Sequence, residues 1–422
     1  MQDISLRSFR IHSSEQDIPK VCALLEEEGY RFQKEPFSPF CFRLLTEPNA
    51  LGSSLAALFG YIYIQDRSSM LPPLALSPDL QNNVLDMCSS PGSKTSFLAT
   101  LMQGQGCILA NEPNNTRLAT LRANLERLDT INCLTCHYEG QKLPLTMSWD
   151  AILLDPPCSG WGTSKKNPRV LQLWQGEKVD RLVSLQRQLL TKAYSLLKPG
   201  GRLLYSTCTT NRQENEEQVC YAEEYLGFRR QTITPFPGFV FDEAKDGAGT
   251  LRVNEEESNA QGFFLALLTK DASKHESFSN DEVRMEEEKT ERVFPSVNLD
   301  TYSNIYTGNL PQGSSINVNE AVYFLPQGAK DCLSPSFRYK GSELGELNAG
   351  TFHPRPRRRI LAFSQPREGI DLCIDSTKTI RALLSGQTMK TQLPGKEALL
   401  FWRDLPLGWI RLKQGRVIAS FR

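Results

Sequence analysis

Apolar strand-like runs alternate with helix-like periodicity between residues 76 and 270 of this chain. Four runs have the character of buried strands, at residues 84–87, 107–110, 151–154 and 202–205. Between the second and third runs, leucines recur at helical spacing, at Leu118, Leu121, Leu125 and Leu128. This alternation predicts an α/β domain with a mostly parallel sheet and helices on both faces. In such sheets ligands bind beyond the carboxyl ends of the strands, so the residues after each run are the first to inspect for chemistry.

The regions on either side of this domain have different patterns. Residues 1–75 combine a helical pattern at Val21, Leu24 and Leu25 with short aromatic-rich segments, which predicts a small N-terminal α+β domain. Residues 271–292 carry eight Asp and Glu residues and few apolar ones, which indicates a charged linker. Residues 293–422 contain short apolar runs between frequent Gly and Pro residues, at 321–325, 398–402 and 409–412, which predicts a β-rich C-terminal domain.

Charge and cysteine usage limit the compartment and the kind of partner. The formal net charge is zero, which argues against a uniformly basic nucleic-acid binder. A local cluster, Arg355 with Arg357, Arg358 and Arg359, favours either phosphate contacts or a solvated surface patch, and the sequence leaves both open. Eleven cysteines lack a framework spacing, and no signal peptide or long apolar span is visible. We therefore expect a cytosolic protein with free thiols and no membrane contact.

A loop of small residues follows the first predicted strand. After Asp86 the chain continues through Cys88, Ser89, Ser90, Pro91, Gly92, Ser93 and Lys94, and a helix is predicted from about Ser96. Small residues before a helix N-terminus let the backbone approach a ligand that carries a carboxylate or phosphate. A triphosphate-binding P-loop is rejected, because Cys88 and Ser93 stand where that motif needs glycines. Glu112, after the second strand, is placed either to bind ribose hydroxyls or to cap the next helix.

Two cysteines stand at predicted strand ends, where α/β folds place their chemistry. Cys158 follows Asp155 and two prolines, and Cys208 follows a Ser-Thr pair. A thiolate can add to carbon 6 of a cytosine and make carbon 5 nucleophilic, and an acid near N3 would then take up the developing charge. One buried cysteine would be unremarkable, but two of them beside an Asp-Pro-Pro sequence point to a reactive site. The pattern Cys133 to His137 matches a haem-attachment motif, which we regard as accidental because it lies in a predicted buried strand.

These motifs together resemble the Nol/Nop/Sun (NSUN-type) family of RNA cytosine-C5 methyltransferases. The resemblance covers residues 60–270 and rests on the segments 65–70, 86–95, 154–163, 206–209 and 214–216. The segments 68–72 and 405–409 are similar to the bacterial ribosomal RsmF-type branch. The resemblance implies a Rossmann-like class I fold that binds S-adenosylmethionine, and a PUA-like module within residues 293–422.

The resemblance also implies roles for individual residues. Cys208 corresponds to the nucleophile and Cys158 to the cysteine that assists product release, although the chemistry alone leaves their order open. Asp155 corresponds to the acid near N3. Cofactor contacts carry over to Cys88, Ser89, Ser90, Pro91, Gly92, Ser93, Lys94, Glu112, Glu139 and Asp155, with Glu139 standing where the family has an Asp. Lys165, Lys166 and Arg169 either hold RNA phosphate or form a plain solvated loop. No metal is implied.

Several alternatives stay open at this point. The expected activity is methylation of a cytosine in 16S ribosomal RNA by a monomer, and transfer RNA is the alternative substrate. Methylation of an exocyclic amine is disfavoured, because Cys158 occupies the position after Asp-Pro-Pro where that chemistry needs an aromatic residue. A ribosome-assembly factor that binds RNA without catalysis would have no evident use for the two cysteines and Asp155.

Overall fold

The N-terminal region forms a four-stranded antiparallel sheet with the order β2-β3-β1-β4. The computed structural model describes residues 7–165, 167–243, 249–271, 294–419 and 421. The strands of this sheet are β1 Ser8–Ile11, β2 Arg31–Lys34, β3 Cys41–Thr46 and β4 Ile62–Ile64. The helices of the region are α1 Ile18–Glu27, α2 Leu55–Leu58 and α3 Leu71–Leu76. Val21, Leu24 and Leu25 lie on the buried face of α1, as their spacing predicts.

The central sheet has the order β10-β12-β9-β8-β5-β6-β7, and β11 pairs with β12. Its strands are β5 Asn83–Asp86, β6 Cys107–Asn111, β7 Cys133–Cys136, β8 Trp149–Leu154, β9 Leu197–Thr207, β10 Phe228–Gln231, β11 Thr250–Val253 and β12 Phe263–Lys270. The helices are α4 Ser93–Leu101, α5 Asn115–Arg127, α6 Val170–Leu173, α7 Glu177–Leu196, α8 Glu216–Tyr221 and α9 Glu255–Ser258. The five strands from β5 to β9 are parallel, and β10 to β12 are antiparallel to their partners. The α/β prediction is confirmed.

Local sequence explains where the helices around this sheet begin. The side chain of Asn114 accepts a hydrogen bond from Arg117 N and caps α5, whose leucines at 118, 121 and 125 are buried. Helix α4 begins at Ser93, three residues before the predicted start at Ser96. Gly92 explains the earlier start, because its backbone is left-handed at φ 99° and a Cβ there would lie 2.9 Å from Leu121 Cδ1.

The C-terminal region contains two further sheets. One has the order β13-β14-β16-β17 and the other β18-β20-β21-β22-β19. The strands are β13 Gly313–Val318, β14 Ala321–Pro326, β15 Tyr339–Lys340, β16 Ser342–Asn348, β17 Thr351–Pro354, β18 Leu372–Cys373, β19 Met389–Lys390, β20 Glu397–Trp402, β21 Leu405–Lys413 and β22 Arg416–Ile418, with helices α10 Gly328–Cys332 and α11 Thr377–Leu384. The region is β-rich as predicted, and its PUA-like character stays a prediction.

This C-terminal region is joined to the rest of the chain at two places. The short strand β15 pairs with β7 and so extends the central sheet by one strand. The second C-terminal sheet shares one buried hydrophobic cluster with the N-terminal region, in which Phe9, Leu55, Ile380 and Trp402 all take part. The predicted boundaries 1–75, 76–270 and 293–422 stay a prediction, and the predicted linker 271–292 lies outside the described residues except for Asp271.

Two arginines of the cluster 355–359 are buried between these regions. The predicted roles, phosphate contacts or a solvated surface patch, are therefore wrong for Arg358 and Arg359. Arg358 and Arg359 are only 3% and 9% exposed. Arg358 forms an ion pair with Asp129, with 3.0 Å between Nη1 and Oδ1, and Arg359 donates to the carbonyls of Gly60 and Leu128. A buried guanidinium needs partners of this kind, so these side chains tie the C-terminal region to the other two and are not available to phosphate.

Candidate active site

Cys158 and Cys208 meet beyond the carboxyl ends of the neighbouring parallel strands β8 and β9. Their sulfur atoms are 3.4 Å apart, and both side chains are partly buried. Asp155 follows the last residue of β8, and its Oδ1 accepts a hydrogen bond of 3.0 Å from Ser206 Oγ on β9. Lys94 Nζ, on the first turn of α4, lies 2.6 Å from Asp155 Oδ2. Three elements, β8, β9 and α4, thus bring two thiols, a carboxylate and an ammonium group to one edge of the sheet.

The backbone around the two thiols is held by a close approach of loops. Gly162 N donates to Cys208 O at 3.0 Å, and Gly262 N donates to Gly162 O at 3.2 Å. A Cβ at Gly162 would lie 2.3 Å from Gly262 O and 2.8 Å from Cys208 O, so only glycine fits there. Pro156 and Pro157 restrict the backbone between Asp155 and Cys158. The position of the Cys158 loop relative to Cys208 is therefore fixed by main-chain contacts.

The two thiols differ in their readiness to ionise. The hydrogen bond from Cys158 lowers the pKa of the Cys208 thiol, against the effects of burial and of Asp155, and the charge of Lys94 lowers it further. The same hydrogen bond, together with burial, raises the pKa of Cys158, and the charges of Asp155 and Glu214 act in the same direction. Cys208 is therefore the thiol that carries the negative charge first, and Cys158 keeps its proton and donates to it.

Lys94 links the thiol pair to the loop of small residues. Burial opposes its charge, but the adjacent Asp155 carboxylate outweighs burial and raises the pKa of the ammonium group. Only 13% of its side chain is exposed, and the ammonium lies 5.4 Å from the ring centre of Phe263. Lys94 is thus held as a cation beside both Asp155 and Cys208.

The small-residue loop lies at the carboxyl end of β5. Ser89 Oγ donates to Asp86 O at 2.8 Å, and Ser90 Oγ donates to Arg117 O at 3.0 Å, so both hydroxyls fix the loop itself. Asp86 is buried and accepts a hydrogen bond of 2.6 Å from Thr95 Oγ1. Burial raises the pKa of Asp86 to about 6. Burial also raises the pKa of Cys88, so this thiol stays protonated.

The two predicted acidic cofactor ligands differ in their surroundings. Glu112 follows β6 and is 2% exposed, with its carboxylate accepting from Asn114 N at 2.9 Å and facing Arg117 Nε at 3.3 Å. Glu139 follows β7 and its side chain is 56% exposed, paired at 2.8 Å with Lys142. Glu112 is thus buried at the carboxyl edge of the sheet, whereas the carboxylate of Glu139 is exposed and pairs with Lys142.

The side chains and amides at this edge are of the kinds that S-adenosylmethionine needs. A carboxylate at the end of β6 suits two ribose hydroxyls, and the amides of the α4 N-terminus with Lys94 suit a carboxylate. Gly92, whose left-handed backbone precedes α4, lets the chain turn tightly at that place. The predicted residues 88–94, Glu112 and Asp155 therefore line one continuous edge of the sheet from β6 to β8.

Other predicted residues lie outside this edge. Lys165 pairs with Glu255 and Glu256 at 3.8 and 3.5 Å, Arg169 is exposed, and Lys166 lies outside the described residues. Cys133 and Cys136 are buried in β7, where burial raises both pKa values. Within the described ranges, no group of three or more His, Cys, Asp or Glu side chains is arranged to hold a metal, and no helix is long and apolar enough to cross a membrane.

Sequence reasoning missed a residue that contacts the thiol loop from behind. Gln186, in the middle of α7, is completely buried and donates to Pro157 O at 3.0 Å. The sequence signal for this residue is a glutamine at an inward position of an amphipathic helix whose other inward positions are apolar. Such a glutamine needs a hydrogen-bond partner, but the sequence does not indicate which one.

Comparisons with known proteins agree with the fold and the motifs. A family model described as 16S rRNA methyltransferase RsmB/F matches residues 73–269. Ribosomal RNA small subunit methyltransferase F of Shewanella loihica is 30% identical over 429 residues, which covers 96% of this chain and 86% of that protein. The protein of the same name from Cronobacter sakazakii is 37% identical over 281 residues, which covers 63% of this chain and 57% of that protein.

Solved structures give the same result for the fold. A methyltransferase homolog protein from Pyrococcus horikoshii has a TM-score of 0.54 and 33% identity, and covers 63% of this chain and 86% of that one. NSun6 from Pyrococcus horikoshii with SFG has a TM-score of 0.57 at 21% identity, covering 63% and 91%, which shows the fold alone. The resemblance to the Nol/Nop/Sun family and its RsmF-type branch is confirmed. The chain therefore belongs to the family described as 16S rRNA methyltransferase RsmB/F, whose members are S-adenosylmethionine-dependent methyltransferases of the class I fold.

Proposed function

We propose that the protein methylates carbon 5 of a cytosine in RNA through a covalent bond between Cys208 and carbon 6 of the base. The observation that carries this proposal is the 3.4 Å contact between the Cys158 and Cys208 sulfurs, with the Lys94–Asp155 pair beside it. An enzyme that methylates an exocyclic amine needs no thiol pair, because the amine nitrogen attacks the methyl group directly. The cysteines therefore favour carbon 5 over a nitrogen target.

The first step uses the ionised Cys208. Its thiolate adds to carbon 6, the ring gains a proton at N3, and carbon 5 becomes an enamine carbon. In this proposal Asp155 serves N3, and the proton comes from the hydrogen-bonded pair that Asp155 forms with Lys94. Bound S-adenosylmethionine supplies the electrophilic methyl group that carbon 5 attacks. The Cys88–Lys94 loop and Glu112 hold that donor against the thiol pair.

Release of the product needs transfer of the carbon 5 proton to a water molecule, return of the N3 proton to the Asp155–Lys94 pair, and cleavage of the C6–S bond. Cys208 leaves as a thiolate, and the hydrogen bond from the Cys158 thiol stabilises the departing charge. Without Cys158 the adduct should break down slowly. This gives the two cysteines different and separable roles.

The target is proposed to be a cytosine of 16S ribosomal RNA, because the relatives bear the name small subunit methyltransferase. A base inside a helix cannot reach the thiol pair, so the nucleotide must be extruded or single-stranded. We propose that the β-rich C-terminal region, of PUA-like type, contributes to choosing this site. The expected cytoplasmic location and monomeric state accompany this proposal.

The test is adduct formation with RNA that contains 5-fluorocytosine, where the fluorine cannot leave as a proton and the covalent complex persists. The wild-type protein with S-adenosylmethionine should give a band of higher mass on a denaturing gel. Cys208→Ala should abolish this band, and Cys158→Ala should accumulate an adduct even with ordinary RNA. The reverse pattern would exchange the two roles, and absence of any adduct on small-subunit RNA would refute the covalent route.

The position of methylation is tested on the product. Nucleosides from treated ribosomal or transfer RNA are compared with C5-methylcytidine and N4-methylcytidine standards. We expect C5-methylcytidine from 16S ribosomal RNA, and N4-methylcytidine would contradict the proposal. C5-methylcytidine from transfer RNA alone would keep the chemistry and change the substrate.

A further inference from the structure

A fully buried carboxylate, Glu214, lies behind the thiol pair. It ends the 3-10 turn Arg212–Glu214 that follows β9 and Cys208, and its exposed fraction is 0%. The main-chain N–H of Ser159 donates to Oε2 at 2.9 Å, and the Ser159 hydroxyl donates to Oε1. Both bonds reach across the site, because Ser159 is the residue directly after Cys158. Glu214 thus binds the Cys158 loop from the Cys208 side.

Two further donors complete the surroundings of this carboxylate. Gln186 Nε2 donates to Oε2 at 3.0 Å while it also donates to Pro157 O, and Asn211 Nδ2 donates to Oε1 at 3.1 Å. Thr209 Oγ1 lies 2.7 Å from Ser159 Oγ, so the segment after Cys208 contacts the same hydroxyl. Glu214 therefore joins three elements: the Cys158 loop, helix α7 and the segment after Cys208.

The charge of Glu214 acts on the ionisation of Cys158. All four of its donors are neutral groups, so hydrogen bonds hold the buried carboxylate and no cation neutralises it through them. The pKa of Cys158 is raised by its bond to Cys208, by burial and also by this carboxylate, whereas Lys94 on the other side favours the Cys208 thiolate. The carboxylate thus opposes ionisation at Cys158 in particular.

We propose that Glu214 is a positioning residue for methyl transfer: its hydrogen bonds clamp the Cys158 loop to the Cys208 segment and so hold the two thiols side by side. This inference rests on the proposed function for its RNA readout. The geometric part rests on the contacts alone, because the bonds of Glu214 add to the main-chain contacts that hold the Cys158 loop beside Cys208. Loss of the clamp should therefore change the reactivity of the thiols even in the absence of RNA.

The test compares three variants of the full chain with the wild type. Glu214→Gln removes the charge and turns one acceptor into a donor that faces other donors. Glu214→Asp keeps the charge but shortens the reach by one methylene. Glu217→Gln is the matched control, because Glu217 lies on the exposed start of α8 and its nearest ion-pair atoms, Arg212 Nε and Glu217 Oε1, are 4.0 Å apart. Folding of each variant is checked by circular dichroism and by calorimetric titration with S-adenosylmethionine.

The first readout is alkylation of each thiol by iodoacetamide across a pH series, mapped by peptide mass spectrometry. The wild type and Glu217→Gln should react mainly at Cys208. In Glu214→Gln the ratio of Cys208 to Cys158 alkylation should fall below that of the wild type, because the charge that opposes ionisation of Cys158 is gone. Glu214→Asp should keep a ratio close to that of the wild type. If Glu214 had only a structural role, the alkylation ratios of Glu214→Gln and Glu214→Asp would not differ in this way.

The second readout is the rate of adduct formation with 5-fluorocytosine RNA. Displacement of the Cys158 loop by about 1 Å should lower this rate by on the order of a hundredfold in both Glu214 variants. The proposal would be overturned if Glu214→Gln and Glu214→Asp both kept the alkylation ratio and the adduct rate of the wild type. If Glu214→Gln does not fold, Glu214→Asp and Ser159→Ala carry the test, and unchanged adduct rates in these would overturn it equally. If the wild type forms no adduct but the ratio still falls in Glu214→Gln, the proposed function fails and the thiol clamp stands.

Discussion

Gly162→Ala is the most demanding test of the geometry around the thiol pair. A methyl group there would lie 2.3 Å from Gly262 O and 2.8 Å from Cys208 O. Ordinary carbon–oxygen contacts begin at about 3.3 Å, so the surrounding backbone has to move by roughly 1 Å. Both neighbours are main-chain atoms, so rotation of a side chain cannot relieve the clash. The backbone of Cys208 must therefore move, because its carbonyl oxygen is one of the atoms that the added methyl group would overlap.

The size of the effect follows from this displacement. Overpacking a tight site of this kind costs about 1–3 kcal/mol of folding free energy, which a protein of this size tolerates. A shift of about 1 Å at a reacting group lowers a rate by on the order of a hundredfold. We expect Gly162→Ala to fold and to bind S-adenosylmethionine with unchanged affinity, because the atoms nearest to the added methyl group belong to Gly262 and Cys208 and not to the Cys88–Lys94 loop. Its methyl-transfer rate should fall about a hundredfold.

The assay combines single-turnover transfer of a labelled methyl group to RNA with calorimetric titration of the donor and with urea unfolding. Gly52→Ala is the matched control, because its methyl group would meet only Ile64 Cδ1, at an ordinary 3.8 Å. That variant should keep the wild-type rate. If Gly162→Ala also kept it, the main-chain contact would not position Cys208, and the reasoning from the close approach would be refuted.

Three further predictions concern other buried groups. Burial holds the pKa of Asp86 at about 6 instead of 3.8. The protonated carboxyl therefore stabilises the fold below about pH 4, and this stabilisation is lost as the pH rises through about 6. Asp86→Asn should accordingly raise the free energy of unfolding at pH 8 by at most ~3 kcal/mol. Urea unfolding should show no difference near pH 4, and a difference that persists there would contradict the burial argument. Hydrogen peroxide should oxidise the Cys208 thiolate to a sulfenic acid. The Cys158 thiol should then attack its sulfur and form a disulfide with loss of water, because the two sulfurs need to close only from 3.4 Å to a bond of about 2.05 Å. Mass spectrometry should find the linked peptides and dithiothreitol should restore activity, whereas separate oxidised cysteines would argue against the contact. Asp129→Ala should cost about 3–5 kcal/mol in urea unfolding, because Arg358 is left buried without its partner, and a loss under 1 kcal/mol would mean that water reaches this arginine.

The sequence predicted those features that burial imposes on every strand of a parallel sheet. The central residues of β5, β6, β8 and β9 are buried and apolar, at 84–85, 107–110, 151–154 and 203–205, so the strands can be recognised from the sequence. The meeting of Cys158 and Cys208 was expected because parallel strands end at one edge, and the 3.4 Å contact agrees with that expectation. The chemical roles of these cysteines, and of Asp155, stay predictions.

Features that depend on distant partners left no local signal. An arginine that binds buried carbonyls has the same sequence neighbours as one that binds phosphate, so the burial of Arg358 and Arg359 could not be anticipated. Glu139 was expected at the cofactor because it stands where the family has an Asp, yet in the structure its exposed carboxylate pairs with Lys142. The addition of β15 to the edge of β7 joins two segments about 200 residues apart, and no periodicity records such a pairing.

The core that the N-terminal region shares with the last C-terminal sheet has a consequence for synthesis. Tyr61 donates a hydrogen bond to the carbonyl of Pro406, which lies 345 residues later. Phe59 packs edge-on against Phe421, which is later still. A ribosome therefore releases the N-terminal strands long before the residues that cover them exist, and these strands keep an exposed apolar face while the methyltransferase sheet folds. A shortened chain that lacks β20 to β22 should aggregate through this face even though its active site is intact.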